Sequence, residues 1–141
     1  MLLNISQHSA LTLQDQIIGQ IRARILSGDL QPETPLSSIR ALSQQLRVGI
    51  NTVQRAYDQL LREELIYVRQ GKGFFVAPLN DADKSVYAKE RFAAALQDLI
   101  SDALQEGLSR KDLKQIFTQR LKEMDDAQLR QPTSGDDHAD A

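Results

Sequence analysis

Arg40, Thr52, Arg55 and Lys72 are the side chains in this sequence whose chemistry suits phosphate and base edges. An arginine fork can bond a phosphate or a guanine, a lysine supplies a point charge, and a threonine hydroxyl can bond phosphate or base. Asn51 and Gln54 lie among them and carry amides able to pair with adenine. Further on, Arg69-Gln70-Gly71-Lys72 offers two cations and a glycine whose main-chain N–H can approach a sugar-phosphate chain. This is the chemistry of binding a nucleic acid, and it makes or breaks no covalent bond.

No catalytic or metal-binding set accompanies these residues. The sequence has no Cys, which excludes a thiolate nucleophile, a disulfide framework and a thiolate metal site. His8 and His138 lie near opposite ends, and no His-Glu-x-x-His spacing occurs. Gly71-Lys72-Gly73 lacks the spacing of a Walker phosphate loop. Asp98, Asp102 and Glu106 share one helix face at i, i+4 and i+8, the pattern of a solvated acidic ridge. Neither an enzyme nor a cofactor is expected.

The binding residues need elements to position them. Leu13, Ile17, Ile18, Ile21 and Ile25 recur at helical spacing, with Gln14, Asp15, Gln20, Arg22 and Arg24 on the other side. Ser27-Gly28 stops that helix, and Pro32 and Pro35 hold a connector that cannot continue it. A second helix starts at Ser37 or Ser38, with Ile39, Leu42 and Leu46 as its stripe. Arg47-Val48-Gly49 breaks it, and a third helix follows from Ile50 to Glu63. Its buried stripe is Val53, Ala56, Tyr57, Leu60 and Leu61; Ile50, Asn51, Gln54, Arg55 and Asp58 face out. Two helices joined by a tight glycine turn form a helix-turn-helix.

The period then changes to two. Leu65 to Arg69 and Phe74 to Ala77 read as strands around the turn Gln70-Gly71-Lys72-Gly73. The expected fold is mainly α with a small β-hairpin: a winged helix-turn-helix domain over 1–77. Such a domain presents its third helix to the major groove of duplex DNA, with the N-terminal residues against base edges.

The segment 78–126 reads as a helical dimerisation region. Pro78 ends the strand, and 79–85 is a polar linker and cap. A helix from Val86 to Glu106 carries Phe92, Leu96, Leu99, Ile100, Ala103 and Leu104, and Gly107 closes it. Ser109 opens another, with Asp112 completing a capping-box variant. Leu113, Ile116, Phe117, Leu121 and Met124 form its stripe. Packing of one helix on the other buries part of each stripe and leaves a wide apolar remainder. A twofold-related copy can cover it through Phe92, Leu96, Leu99, Ile100, Ile116, Phe117 and Leu121. The competing arrangement folds the hairpin back on its own winged helix. The last stretch, 127–141, has Pro132, Gly135 and several Asp, and is expected to be a disordered acidic tail.

Charge supports this division. The net charge is -2 over 141 residues. Residues 1–77 hold 8 Lys and Arg against 6 Asp and Glu, and 78–141 hold 9 against 13. A basic face for phosphate therefore belongs in the N-terminal half. No apolar run approaches the ~20 residues needed to span a bilayer, and Met1 to Leu13 carries no Lys or Arg before its apolar residues. The reading is a soluble cytoplasmic protein with no membrane partner.

Three segments together resemble the DNA-binding domain of GntR-family bacterial transcription regulators: Leu36-Ser37-Ser38-Ile39-Arg40-Ala41-Leu42, Val48 to Tyr57, and Leu65 to Val76. The resemblance runs from Leu13 to Ala77, and the short helical C-terminal part is similar to the YtrA-like subfamily. It implies a homodimeric repressor on a twofold-symmetric operator, with the C-terminal helices as the dimerisation element. YtrA-like members often regulate their own operon with ABC-transporter genes. Four positions depart from the family pattern. Gly49-Ile50 stands where Ser-Arg is usual, Ser37 where Pro is usual, and Phe74 where Thr is usual. Gly49 remains a weaker cap, and Ile50 can touch a thymine methyl but cannot bond phosphate.

Two other readings stay open. One is a protein–protein winged-helix module, with Gly49-Ile50 marking lost DNA contact. The other is the head of a pyridoxal-phosphate-dependent fusion, which the chain length disfavours. An effector of unknown identity also stays open, although the C-terminal part is too small to enclose a cavity of roughly a few hundred Å3 within one subunit.

Overall fold

The computed structural model describes residues 2–130. Its elements run in the expected order: α1 (Leu13–Leu26), α2 (Ile39–Leu46), α3 (Ile50–Arg62), β1 (Ile66–Arg69), β2 (Gly73–Val76), α4 (Asp81–Gln105) and α5 (Arg110–Arg130). They fall into two compact units, Met1–Glu90 and Arg91–Ala141. The fold is a winged helix-turn-helix followed by two further helices.

The first unit is built on the apolar stripes. Ile17, Ile21 and Ile25 of α1, Leu42 of α2, and Val53, Ala56, Tyr57 and Leu60 of α3 are all fully buried. Thr12 caps α1, its hydroxyl accepting from Asp15 N at 3.0 Å. Ser38, the second of the two expected capping serines, accepts from Ala41 N at 3.0 Å. Arg47 takes the left-handed conformation that ends α2, and Ser43 Oγ donates to Val48 O at 2.5 Å across the turn.

Two polar residues of α1 are buried, and one of them, Arg22, departs from its expected side. Arg22 is buried and pairs with Glu63, at the C-cap of α3, with Nη2 to Oε1 at 2.5 Å. Tyr87 of α4 donates to the same oxygen at 3.0 Å. Gln16 is buried as well, and its amide bonds the main chain of Ser6 in both directions, at 2.7 Å and 2.8 Å. Gln20 does the same for Asn4, so the segment before α1 lies along that helix with Leu3 and Ile5 against the core.

The hairpin is antiparallel, with Ile66 opposite Val76 and Arg69 opposite Gly73. A feature absent from the sequence reading joins it. The proline-containing connector runs beside β2: Glu33 N donates to Val76 O at 2.8 Å, Val76 N to Thr34 O at 2.9 Å, and Leu36 N to Phe74 O at 2.9 Å. Pro35 lies on the outer edge of this three-strand arrangement, where a missing N–H leaves no ladder bond unmade.

The expected boundaries shift in three places. Helix α4 starts at Asp81, so the polar linker of 79–85 is mostly helical. Asn80 is its cap, accepting from Asp83 N at 2.8 Å, and Asp81 and Asp83 in the first turn suit the positive end of the helix dipole. The first unit extends to Glu90 rather than 77, because Leu79 and Tyr87 pack on its core. Helix α5 reaches Arg130, past the expected end at 126; the rest of the expected acidic tail lies outside the described residues. The capping box is as read: Ser109 N donates to Asp112 Oδ2 at 2.9 Å and Asp112 N to Ser109 Oγ at 3.1 Å. Hydrogen bonding from Ser109, its main-chain N–H first and then its side chain, holds the Asp112 carboxyl below its usual range.

In the second unit the two helices bury residues only in part: Leu96, Ala103, Asp112 and Leu113 are half-buried. No described residue from Arg91 onward is buried. Phe92, Leu99, Ile100, Ile116, Phe117 and Leu121 are exposed, Leu99 to 67%, and Leu96 is half-buried.

Within the first unit, the Tyr57 hydroxyl donates to Ser37 O at 2.7 Å. Tyr57→Phe should destabilise the protein by about 0.5–1.5 kcal/mol, the net worth of one such bond. Urea unfolding checks this, and an unchanged midpoint would show that the bond contributes nothing.

Candidate nucleic-acid interface

The buried face of α3 leaves its other face in solvent. Ile50, Asn51, Gln54 and Arg55 are exposed and Thr52 is half-buried. Arg40 on α2 is exposed, and so are Gly71 and Lys72 at the wing tip. All seven expected contact residues, Arg40, Asn51, Thr52, Gln54, Arg55, Gly71 and Lys72, therefore lie at or near the surface of one compact unit.

Their bonding separates them from the other polar residues. Among the described residues, the side chains of Arg40, Asn51, Thr52, Arg55 and Lys72 make no hydrogen bond or ion pair with protein. Gln54 differs: its amide donates to Asp58 Oδ1 at 3.0 Å, so reaching a base means giving up that exposed bond. Arg47 is exposed and without a side-chain partner among the described residues. In the sequence it is part of the break; the available signal is a cation shortly before α3.

Most cations elsewhere in this unit are occupied; Lys89 of α4, exposed and without a side-chain partner among the described residues, is an exception. Arg22 pairs with Glu63, Arg62 donates to Gln59 Oε1 at 2.8 Å and 3.2 Å, and Arg24 donates to the Leu2 carbonyl. Arg69, expected in the wing contact set, is occupied too. Its Nη2 meets Glu33 Oε2 at 2.7 Å and its guanidinium lies 4.6 Å from the Phe75 ring centroid. Tyr67 donates to the same carboxylate, and that bond holds its phenol above the usual range.

The start of α3 is open. Gly49 gives no side-chain cap. Its carbonyl accepts from Thr52 N at 3.1 Å and Val53 N at 3.4 Å, while the first N–H groups of the helix keep no intrahelical acceptor, as at any helix start. Free N–H groups at a helix start, with the positive dipole end, suit a phosphate. Gly49 has φ -64°, so its backbone does not require glycine, whereas Gly71 does, at φ 75°. At the turn tip nothing crowds Gly71, leaving its main chain accessible. Ile50 is 52% exposed, an apolar contact for a thymine methyl.

A groove of about 270 Å3 elsewhere on the unit is lined by Glu63, Glu64, Asp83 and Glu90, among others. Three carboxylates beside the Arg22-paired Glu63 make that surface unfavourable to a phosphate chain.

A winged helix-turn-helix whose third helix keeps one face in solvent is an architecture of DNA-binding proteins. Residues 13–76 match the model of bacterial regulatory proteins of the gntR family. The chain is 31% identical over 106 residues to the HTH-type transcriptional regulator Rv1152 of Mycobacterium tuberculosis, covering 75% of this chain and 83% of that protein. It is 33% identical over 99 residues to the HTH-type transcriptional repressor NagR of Bacillus subtilis, covering 70% of this chain. It spans only 36% of NagR's length. Among solved structures, a transcriptional antiterminator from Listeria monocytogenes is similar with a TM-score of 0.66 and 28% identity, covering 85% of this chain and 90% of that one. YtrA from Sulfolobus acidocaldarius, a GntR-family transcription factor, is similar with a TM-score of 0.52 and 26% identity, over 87% of this chain and 99% of that one. The chain belongs to the GntR family and is a DNA-binding transcriptional regulator.

The missing cap on α3 is directly testable. A Cβ at position 49 would meet only Thr52 Oγ1, at 3.8 Å. Gly49→Ser should stabilise the protein by roughly a few tenths of a kcal/mol, by supplying a hydroxyl acceptor at the start of the helix. Thermal unfolding reads the change; a lower melting temperature would mean the serine cannot adopt the capping geometry.

Proposed function

We propose that the chain is a homodimeric repressor of the YtrA-like kind that binds a twofold-symmetric operator. It acts in the cytoplasm by binding alone. The observation that carries this reading is the set of exposed, unpaired side chains on α2, α3 and the wing tip, beside an uncapped helix start. In it, α3 enters the major groove. Asn51 and Gln54 face base edges, Thr52 bonds phosphate or base, and Arg55 takes a guanine or a phosphate. Arg40 and Arg47 meet the backbone beside the groove. Gly71 and Lys72 approach the sugar-phosphate chain from the wing.

Dimerisation is supported by the second unit, which has no buried residue among those described and a run of exposed apolar side chains. Apolar area of that kind contributes about 25 cal/mol per Å2 once removed from water. A second copy pairing through Phe92, Leu96, Leu99, Ile100, Ile116, Phe117 and Leu121 gives an isologous helical bundle. Two recognition helices then address half-sites about 34 Å apart, one duplex turn. Any effector would bind at or near that seam. No helix among the described residues is long and apolar enough to cross a membrane.

Two measurements test this. Arg40→Ala and Arg55→Ala, if each removes a phosphate contact, should each reduce the slope of log affinity against log salt by about one. Unchanged slope and affinity would remove the residue from the interface. Leu99→Asp places a charge where the seam is dry and should yield monomers in sedimentation. A variant that stays dimeric would mean that the seam uses another face.

A further inference from the structure

Glu33 sits where a glutamate is unfavourable. Its φ is 68°, in the left-handed region that favours glycine. The hydrogen bond from its N–H to Val76 O, at 2.8 Å, fixes the backbone there. A residue held in such a conformation by its surroundings directs attention to its side chain. The Glu33 carboxylate accepts from Arg69 Nη2 at 2.7 Å and from the Tyr67 hydroxyl. Arg69 Nε donates to Tyr67 Oη at 3.0 Å, and its guanidinium stacks over Phe75. One arginine thus has a counter-ion, a hydroxyl acceptor and an aromatic face.

The place matters as much as the bonding. Arg69 is the last residue of β1, opposite Gly73 and next to the turn of Gln70, Gly71 and Lys72. It is the cation nearest in sequence to the wing tip besides Lys72. Lys72 has no side-chain partner among the described residues, and Arg69 has three. The Arg69 and Glu33 side chains remain 46% and 44% exposed, so solvent and a passing phosphate can reach them. A lone exposed ion pair is weak, but a network that also fixes the guanidinium plane is harder to displace.

We propose that Glu33 is an internal counter-anion that withholds Arg69 from the DNA backbone, keeping it as a strut of the wing. The proposal rests on the wing of the preceding section meeting duplex DNA. It makes Glu33 a residue that limits sequence-independent affinity. With Arg69 tied down, the wing presents Lys72 and the Gly71 main chain, and recognition depends more on α3. Removing the carboxylate frees a guanidinium beside the backbone and adds one phosphate contact.

Affinity for a duplex of arbitrary sequence, measured across a salt series, tests this with the full chain. Glu33→Gln should tighten binding at low salt and steepen the slope of log affinity against log salt by about 0.9. Arg69→Ala alone should leave the slope at its original value. Arg69→Ala added to Glu33→Gln should return the steepened slope to that value. Glu33→Gly should steepen it equally, and because glycine suits the left-handed backbone this variant separates release of Arg69 from a folding defect. A shallower slope for Arg69→Ala alone overturns the proposal, since Arg69 would already touch phosphate. A double variant that stays steep overturns it too, reducing the effect to one unit of net charge. So does an unchanged slope in both Glu33 variants. If Lys72→Ala flattens the slope while the Glu33 variants do nothing, the withholding fails and the DNA-facing wing survives. If the unaltered chain shows no salt-dependent binding, both fail together.

Discussion

The structure turns on how α3 is fixed from behind. Tyr57 is fully buried and joins three elements at once. Its backbone belongs to α3, its hydroxyl donates to Ser37 O just before α2, and its ring meets Phe74 of the wing edge-on at 4.8 Å between centroids. Burial pushes the phenol far above its ordinary range. A helix that is to read DNA must keep one face in water and be held rigidly by the other. Tyr57, with Val53, Ala56 and Leu60, supplies that hold and ties the wing to the same helix.

The far end of α3 is fixed by charge. Glu63 receives Arg22 from α1 and Tyr87 from α4 on one carboxylate oxygen. Arg22 Nε is buried without a hydrogen-bond partner among the described residues, so the pair is incompletely satisfied. Buried ion pairs contribute less to stability than their distance suggests, because desolvation offsets attraction. What this one does is fix geometry. Burial first, and then the bond to Glu63, keeps the Tyr87 phenol above its usual range, and the first turns of α4 become part of the winged-helix core.

The cations bonded within the protein and those without a partner are different side chains. Arg22, Arg62 and Arg69 are bonded within the protein, and Arg40, Arg55 and Lys72 have no side-chain partner among the described residues. The chain's net negative charge is thus no obstacle to a locally cationic surface. The second unit shows the opposite economy. With no buried residue among those described, its two helices have little apolar burial to set against the entropy of ordering them.

Much of this was legible in the sequence because it depends on local periodicity. The stripes of α1 and α3, the Ser38 cap, the Ser109–Asp112 box and the two-glycine hairpin follow from residue types at fixed spacing. Which face of α3 stays wet follows from the same pattern. Tertiary structure decided what depends on partners far apart in the chain. Arg22 looks like a surface cation until Glu63, 41 residues away, comes beside it. The proline connector looks like a loop until β2 offers it a ladder. Arg69 and Lys72 look alike until Glu33, 36 residues before Arg69, selects one of them. Spacing fixes a side chain's direction on its own element; only packing fixes which charge it meets, and so which cations remain for a ligand.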